Sequence, residues 1–225
     1  MNKTKINFVG LKTLNIWKIS IGNEKFLVSP AHYIIYKKNQ SDINWSYNKN
    51  LPLKYNSGWY FLNEYLSKPI SNIKMDFAFK PISKYEKTIY TEQTNPDMIY
   101  DIKYYFYQPY NHIGQNICEQ NPIAKPSLGS GYGCMYQHPG TEYFESIGMG
   151  WRGLSGALIT NAKTNDFLGL FTRRISYLGV NNTNTQDIIN TTNNSISDNH
   201  KIPRGFIIPT NVINQIIYNS KLTKI

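Results

Sequence analysis

The chain has 225 residues, with 24 Lys and Arg against 14 Asp and Glu and a formal net charge of +10. That length buries a substantial core, as one compact unit or as two halves of roughly 100 residues each. No window approaches the roughly 18 to 20 consecutive apolar residues that span a bilayer, and Lys12, Asn15 and Lys18 interrupt the first twenty residues, so neither a membrane span nor a signal peptide is expected.

A cytoplasmic or viral location with no membrane partner follows as the expectation, and Cys118 and Cys134 read as reduced thiols. The basic residues are scattered, with short pairs such as Lys37–Lys38 and Arg173–Arg174, so the positive balance reads as a solvated surface rather than a dedicated nucleic-acid tail. Aromatic residues make up 14% of the chain, dominated by 18 Tyr and 10 Phe, which suits half-buried pleated surfaces better than helices.

Short β-branched and aromatic runs recur between Gly, Pro, Asn and Ser clusters. In chain order they are Asn15 to Ile21, Lys25 to Ser29, Tyr33 to Tyr36, Trp59 to Leu62, Met75 to Phe79 and Tyr100 to Tyr107. Ala157 to Thr160, Phe167 to Thr172 and Gly205 to Ile208 follow. This spacing predicts antiparallel strands in barrels or a sandwich. Polar residues and a proline near Thr91 to Pro96 mark the seam between an N-terminal half, 1–95, and a C-terminal half, 96–225. The Asn/Thr/Ser-rich stretch 179–201 predicts a long mobile surface loop. Helical periodicity emerges only in 210–219, where Val212, Ile213, Ile216 and Ile217 share a face and Thr210 offers an N-cap.

Three segments carry chemistry. Phe26 to His32 is an apolar strand ending in a turn that presents a histidine. Met75 to Phe79 places an aspartate at the mouth of an alternating strand. Gly150 to Ile159 brackets Ser155 with glycines ahead of another apolar strand. Each has an ordinary structural explanation by itself. Together they supply what acyl transfer from a peptide requires: a hydroxyl nucleophile in Ser155, a base in His32 and an orienting carboxylate in Asp76. The amides of Gly153 and Ser155 are the candidate oxyanion donors, since a side chain at position 153 would obstruct the turn.

In these segments the chain resembles the trypsin-like, chymotrypsin-fold serine proteases, closest in style to HtrA-like bacterial and viral members. Ala31-His32, Asp76-Phe77-Ala78-Phe79 and Gly153-Leu154-Ser155-Gly156 match the family's three short motifs in order, and Gly205 to Asn211 resembles the segment leading into its final helix. The resemblance implies an all-β fold of two antiparallel six-stranded barrels with a short C-terminal helix. His32 and Asp76 would lie on the first barrel and Ser155 on the second. It implies a serine endopeptidase that acts on protein or peptide substrates without a cofactor. Leu154 stands where many members carry an aspartate that pairs with a freed N-terminus, so activation by N-terminal cleavage is not expected.

Met149, Thr172, Arg173, Arg174 and Gly205 are the candidate substrate-binding residues on the same resemblance. Met149 replaces the acid that selects Arg or Lys, and guanidinium groups at 173 and 174 would favour an acidic or polar residue at the cleaved position. Two other readings stand beside this one. His112, Cys118, Cys134 and His138 have ligand chemistry for zinc but lack a tight Cys-x-x-Cys pair, so no metal is expected. A trypsin-fold protein that binds or builds a virion without cutting, with or without nucleic acid on its basic surface, is the alternative function.

Overall fold

The computed structural model describes residues 6–7, 15–21, 24–36, 46–47, 56–62, 76–82, 94–108, 127–137, 140–150, 153–174, 203–218 and 222–224. The proposed mobile loop 179–201 lies outside them, as do His112, Cys118 and His138 of the candidate zinc set. Cys134 is a free thiol, and no metal-ligand cluster occurs among the described residues. Among the described residues no helix is long and apolar enough to cross a membrane.

The first half forms one six-stranded sheet. Its strands are β1 (Ile6–Asn7), β2 (Trp17–Ile21), β3 (Glu24–Ser29), β6 (Tyr60–Leu62), β7 (Ala78–Pro81) and, from the far end of the chain, β14 (Leu222–Lys224). They pair in the order β1-β2-β3-β7-β6-β14, and among the described residues the sheet is not closed. Of the two barrels expected, the described residues therefore form one closed barrel and one sheet whose edge strands β1 and β14 do not pair with each other. The edge strand β14 comes from the far end of the chain and pairs antiparallel with β6. A two-stranded ribbon, β4 (Ile35–Tyr36) and β5 (Ser46–Tyr47), stands apart. Part of the strand expected from Tyr33 to Tyr36 is instead a single helical turn, α1 (Ala31–Ile34).

The second half closes into a six-stranded barrel. It contains β8 (Tyr100–Gln108), β9 (Ser127–Gln137), β10 (Phe144–Ile147), β11 (Leu158–Asn161), β12 (Phe167–Arg174) and β13 (Arg204–Pro209), in the order β10-β13-β12-β11-β8-β9. All six pairings around the barrel are antiparallel. Alternation sends Ile102, Tyr104, Phe106, Ile159, Leu168, Phe171 and Ile207 into the barrel core. On β11, β12 and β13 part of the opposite face is covered as well. Leu158, Phe167, Leu170 and Ile208 join a second core with Trp17, Phe26, Phe79 and the helix α2 (Thr210–Ile217). Strands covered on both faces read as continuous apolar runs, which is why Phe167 to Thr172 shows no polar alternation.

The apolar face of α2 packs as its spacing predicts, with Val212, Ile213, Ile216 and Ile217 all buried in that second core. Thr210 does not cap it. Pro209 holds the N-cap position, no side-chain cap hydrogen bond forms, and Thr210 is the buried first helical residue. The glycine-rich segment Gly129 to Gly133 lies inside the eleven-residue strand β9. Its alternate glycines make room for aromatic rings from β8: a Cβ on Gly129 would sit 2.8 Å from the Phe106 ring, and one on Gly131 would collide with the Tyr104 hydroxyl. The barrel is filled by rings on one strand and emptied of side chains on its neighbour.

Two outcomes follow from this packing. Gly131→Ala should lower the unfolding free energy by about 1–3 kcal/mol, the usual cost of overpacking, seen as a lower urea midpoint with an unchanged m-value. Burial pushes the Tyr104 hydroxyl up to about 12 from its ordinary value of 10.0. The folded state therefore holds this proton more tightly than the unfolded chain. The contribution is fully present below pH 10 and is lost as pH rises toward 12, on the order of 2 kcal/mol. Chemical denaturation of Tyr104→Phe beside wild type should show a flatter stability profile across that window for the variant.

Candidate active site

His32 and Asp76 meet because of strand register. β3 and β7 run antiparallel with Ser29 opposite Ala78. His32 follows Ser29 by three residues and Asp76 precedes Ala78 by two, so both emerge at the same end of the strand pair. Between them Pro30 ends the strand and α1 makes one turn, in which the Tyr33 amide donates to the Pro30 carbonyl at 3.1 Å. Ala31 and Ile34 point into the core. The His32 side chain is left 39% exposed at the surface.

Asp76 is 2% exposed, and its two carboxylate oxygens are divided between two donors of the same residue. The backbone N–H of His32 donates to Oδ1 at 3.0 Å, and the imidazole Nδ1 lies 2.7 Å from Oδ2. A carboxylate only accepts, so Nδ1 carries the proton in this pair and Nε2 keeps its lone pair. A cationic group completes the cluster, since the Arg173 guanidinium lies 4.0 Å from Asp76 Oδ2. Its side chain is 33% exposed and comes from β12 of the barrel, so this contact joins the two halves of the chain.

Ser155 sits in the turn between β10 and β11. The Ala157 amide donates to the Leu154 carbonyl at 2.8 Å, closing a four-residue turn with Ser155 and Gly156 at its centre. Gly156 has φ +80, the left-handed conformation that the third position of a type II turn demands. Gly153 has φ +94 and is likewise in a region that side chains disfavour. Leu154 anchors the turn by burying its side chain in the barrel core. The Gly156 amide donates to the Phe171 carbonyl at 2.6 Å, which ties the turn to β12 two residues before Arg173.

The turn also presses against the first half of the chain. A Cβ on Gly156 would stand 3.0 Å from Pro30 Cδ, so the turn carrying Ser155 lies close to the residue two before His32. His32 and Asp76 are in direct contact with each other. No hydrogen bond joins Ser155 Oγ to His32 among the described residues. Leu154 turns its carbonyl back toward Ala157, which leaves the N–H of the same peptide, that of Ser155, facing the other way. Among the described residues neither the Ser155 nor the Gly153 amide donates to a protein acceptor.

The candidate substrate residues divide. Met149 is buried in the barrel core, and Thr172 is buried with its hydroxyl donating to the Phe206 carbonyl at 3.2 Å. Gly205 lies directly under the Phe171 ring, where any Cβ would collide. Arg174 is exposed at the end of β12, opposite Gly205. Arg173 lies beside Asp76. Two polar side chains that motif reading passed over, Asn15 and Trp17, contact the Ser155 turn directly. Their only sequence signal is an asparagine and an indole at the head of an apolar strand. A scan of known protein families finds no match to this chain, and a search of curated proteins finds no relative.

Proposed function

We propose that this chain is a serine endopeptidase in which Ser155 is the nucleophile, His32 the general base and Asp76 the orienting carboxylate. The observation that carries the reading is the two-point grip of the buried Asp76 on His32, at 3.0 and 2.7 Å. One contact fixes the backbone and the other fixes the ring through Nδ1, which leaves Nε2 as the ring nitrogen for a hydroxyl proton in the proposed reaction.

In the proposed reaction Ser155 Oγ attacks the carbonyl carbon of a peptide bond as His32 Nε2 takes its proton. The C=O electron pair moves onto oxygen, and the Gly153 and Ser155 amides donate to that oxyanion. Asp76 stabilises the imidazolium. Collapse of the adduct expels the amine, which takes the proton from Nε2 and leaves an acyl ester on Ser155. Water repeats the sequence, with His32 again as base, and releases the acid. Substrate-free hydrogen bonds between a nucleophile and its base are often long and tighten on binding, and the proposed reaction requires Ser155 Oγ to reach His32 Nε2 in that way.

Arg173 changes the specificity expectation. Its guanidinium faces Asp76, so an acidic residue of the substrate has only Arg174 as a nearby cation of that pair. The reading retained is an unassigned preference at the cleaved position.

Wild-type protein should react with a fluorophosphonate probe and cleave a casein or peptide library, and Ser155→Ala should do neither while keeping its unfolding midpoint. A folded wild type that takes no label would replace the peptidase reading with that of a binding module. Asp76→Asn should lower kcat by about 10³ to 10⁴-fold with a much smaller change in KM, because the amide no longer selects the required tautomer. Steady-state kinetics on one fluorogenic peptide checks that split.

A further inference from the structure

Asn15 is 2% exposed and stands just ahead of β2, yet its side-chain hydrogen bonds reach out of its own sheet. Its Nδ2 donates to the Ser155 carbonyl at 2.9 Å and to the Gly153 carbonyl at 3.3 Å, while its Oδ1 accepts the Tyr107 amide of β8 at 2.6 Å. Two residues on, the Trp17 indole N–H donates to the Gly156 carbonyl. The fit is close: a Cβ on Gly156 would stand 2.7 Å from the Asn15 carbonyl oxygen. Three of the four carbonyls from Gly153 to Gly156 are therefore captured by side chains of one tripeptide of the other half.

The fourth carbonyl, that of Leu154, is taken by the Ala157 amide at 2.8 Å. A trans peptide points its C=O and N–H in opposite directions, so fixing a carbonyl also fixes the amide across from it. Asn15 holds the peptides on both sides of the Leu154–Ser155 peptide. Rotation of either would strip a buried amide side chain of its acceptor, which is the expensive way to break a hydrogen bond. The Ser155 N–H is consequently held outward, beside the Oγ of its own residue.

We propose that Asn15, seconded by Trp17, is a positioning residue for the nucleophile turn and sets the geometry of the Ser155 amide. The proposal rests on the peptidase reading for its catalytic consequence and on the hydrogen bonds alone for its structural one. Asn15 touches no reacting atom. It acts because oxyanion donors must lie within about 2.7–3.1 Å of where charge develops, and a displacement near 1 Å costs up to about 10²-fold in rate.

Two variants isolate the effect. Asn15→Asp keeps an oxygen for the Tyr107 amide but turns the donor into an acceptor facing two carbonyls. Trp17→Phe keeps the ring and deletes only the indole N–H. We expect kcat to fall about 10- to 100-fold in the first and about 3- to 10-fold in the second, with KM within about threefold of wild type. Affinity for a peptide trifluoromethyl ketone, which forms an oxyanion on Ser155, should fall in step with kcat, while affinity for the cleaved product peptide should hold. Hydrogen exchange at the Gly156 and Ala157 amides should quicken by about tenfold or more as the turn loosens.

A folded Asn15→Asp with unchanged kcat and unchanged exchange overturns the proposal. So does a parallel loss of kcat, product affinity and unfolding midpoint, which would mark a merely structural residue. If Asn15→Asp does not fold, Trp17→Phe decides by the same criteria. If wild type takes no fluorophosphonate label, the peptidase reading fails separately, and exchange at Gly156 and Ala157 still upholds or overturns the hold on the turn.

Discussion

A carboxylate taken out of water is costly unless its lone pairs are met by donors, and Asp76 at 2% exposure is such a group. Its surroundings are arranged around that cost. The strand pair β3 and β7 delivers a backbone N–H and a ring N–H from one histidine, and the second half of the chain delivers a guanidinium. Breaking any one of these leaves the carboxylate buried and undercompensated. The conformation of His32 and the approach of β12 to the sheet are thus tied to a single charge.

The two halves meet through polar contacts laid over a shared apolar core. Leu158, Phe167, Leu170 and Ile208 on the outside of the barrel pack with Trp17, Phe26, Phe79 and α2. Such burial is strong but indifferent to small rotations. Direction comes from the hydrogen bonds of Asn15 and Trp17 to the Ser155 turn and from Arg173 to Asp76. These reach across in opposite senses, from sheet to turn and from barrel to carboxylate. A rigid-body shift of one half on the other would strain both sets at once, which is the condition for holding a reactive geometry to a fraction of an ångström.

The barrel shows how side-chain volume sets backbone geometry. Gly129 and Gly131 on β9 stand over the Phe106 and Tyr104 rings of β8. Glycine at these positions marks close approach rather than mobility, and the strand runs through them without a break. Gly205 under the Phe171 ring repeats the device across β12 and β13. That ring packs in the same barrel core as Leu154, the residue that seats the Ser155 turn, so the barrel filling and the site share one packing problem.

Much of this was legible in the residues alone: most strand positions, the apolar face of α2, and the three motifs bearing His32, Asp76 and Ser155. Local alternation and glycine placement depend on neighbours in the chain, so they survive in one dimension. The sequence by itself also specified that Gly153 and Gly156 flank the serine, because their conformations are open chiefly to glycine. Only the tertiary structure decided that β14 completes the edge of the first sheet, since its partner β6 lies 160 positions away in the chain. It alone turned Arg173 toward Asp76, buried Met149 in the barrel, ordered the glycines of β9 under aromatic rings and brought Asn15 to the Ser155 turn. Each of these depends on what long-range pairing places opposite a residue, and a linear pattern does not record that partner.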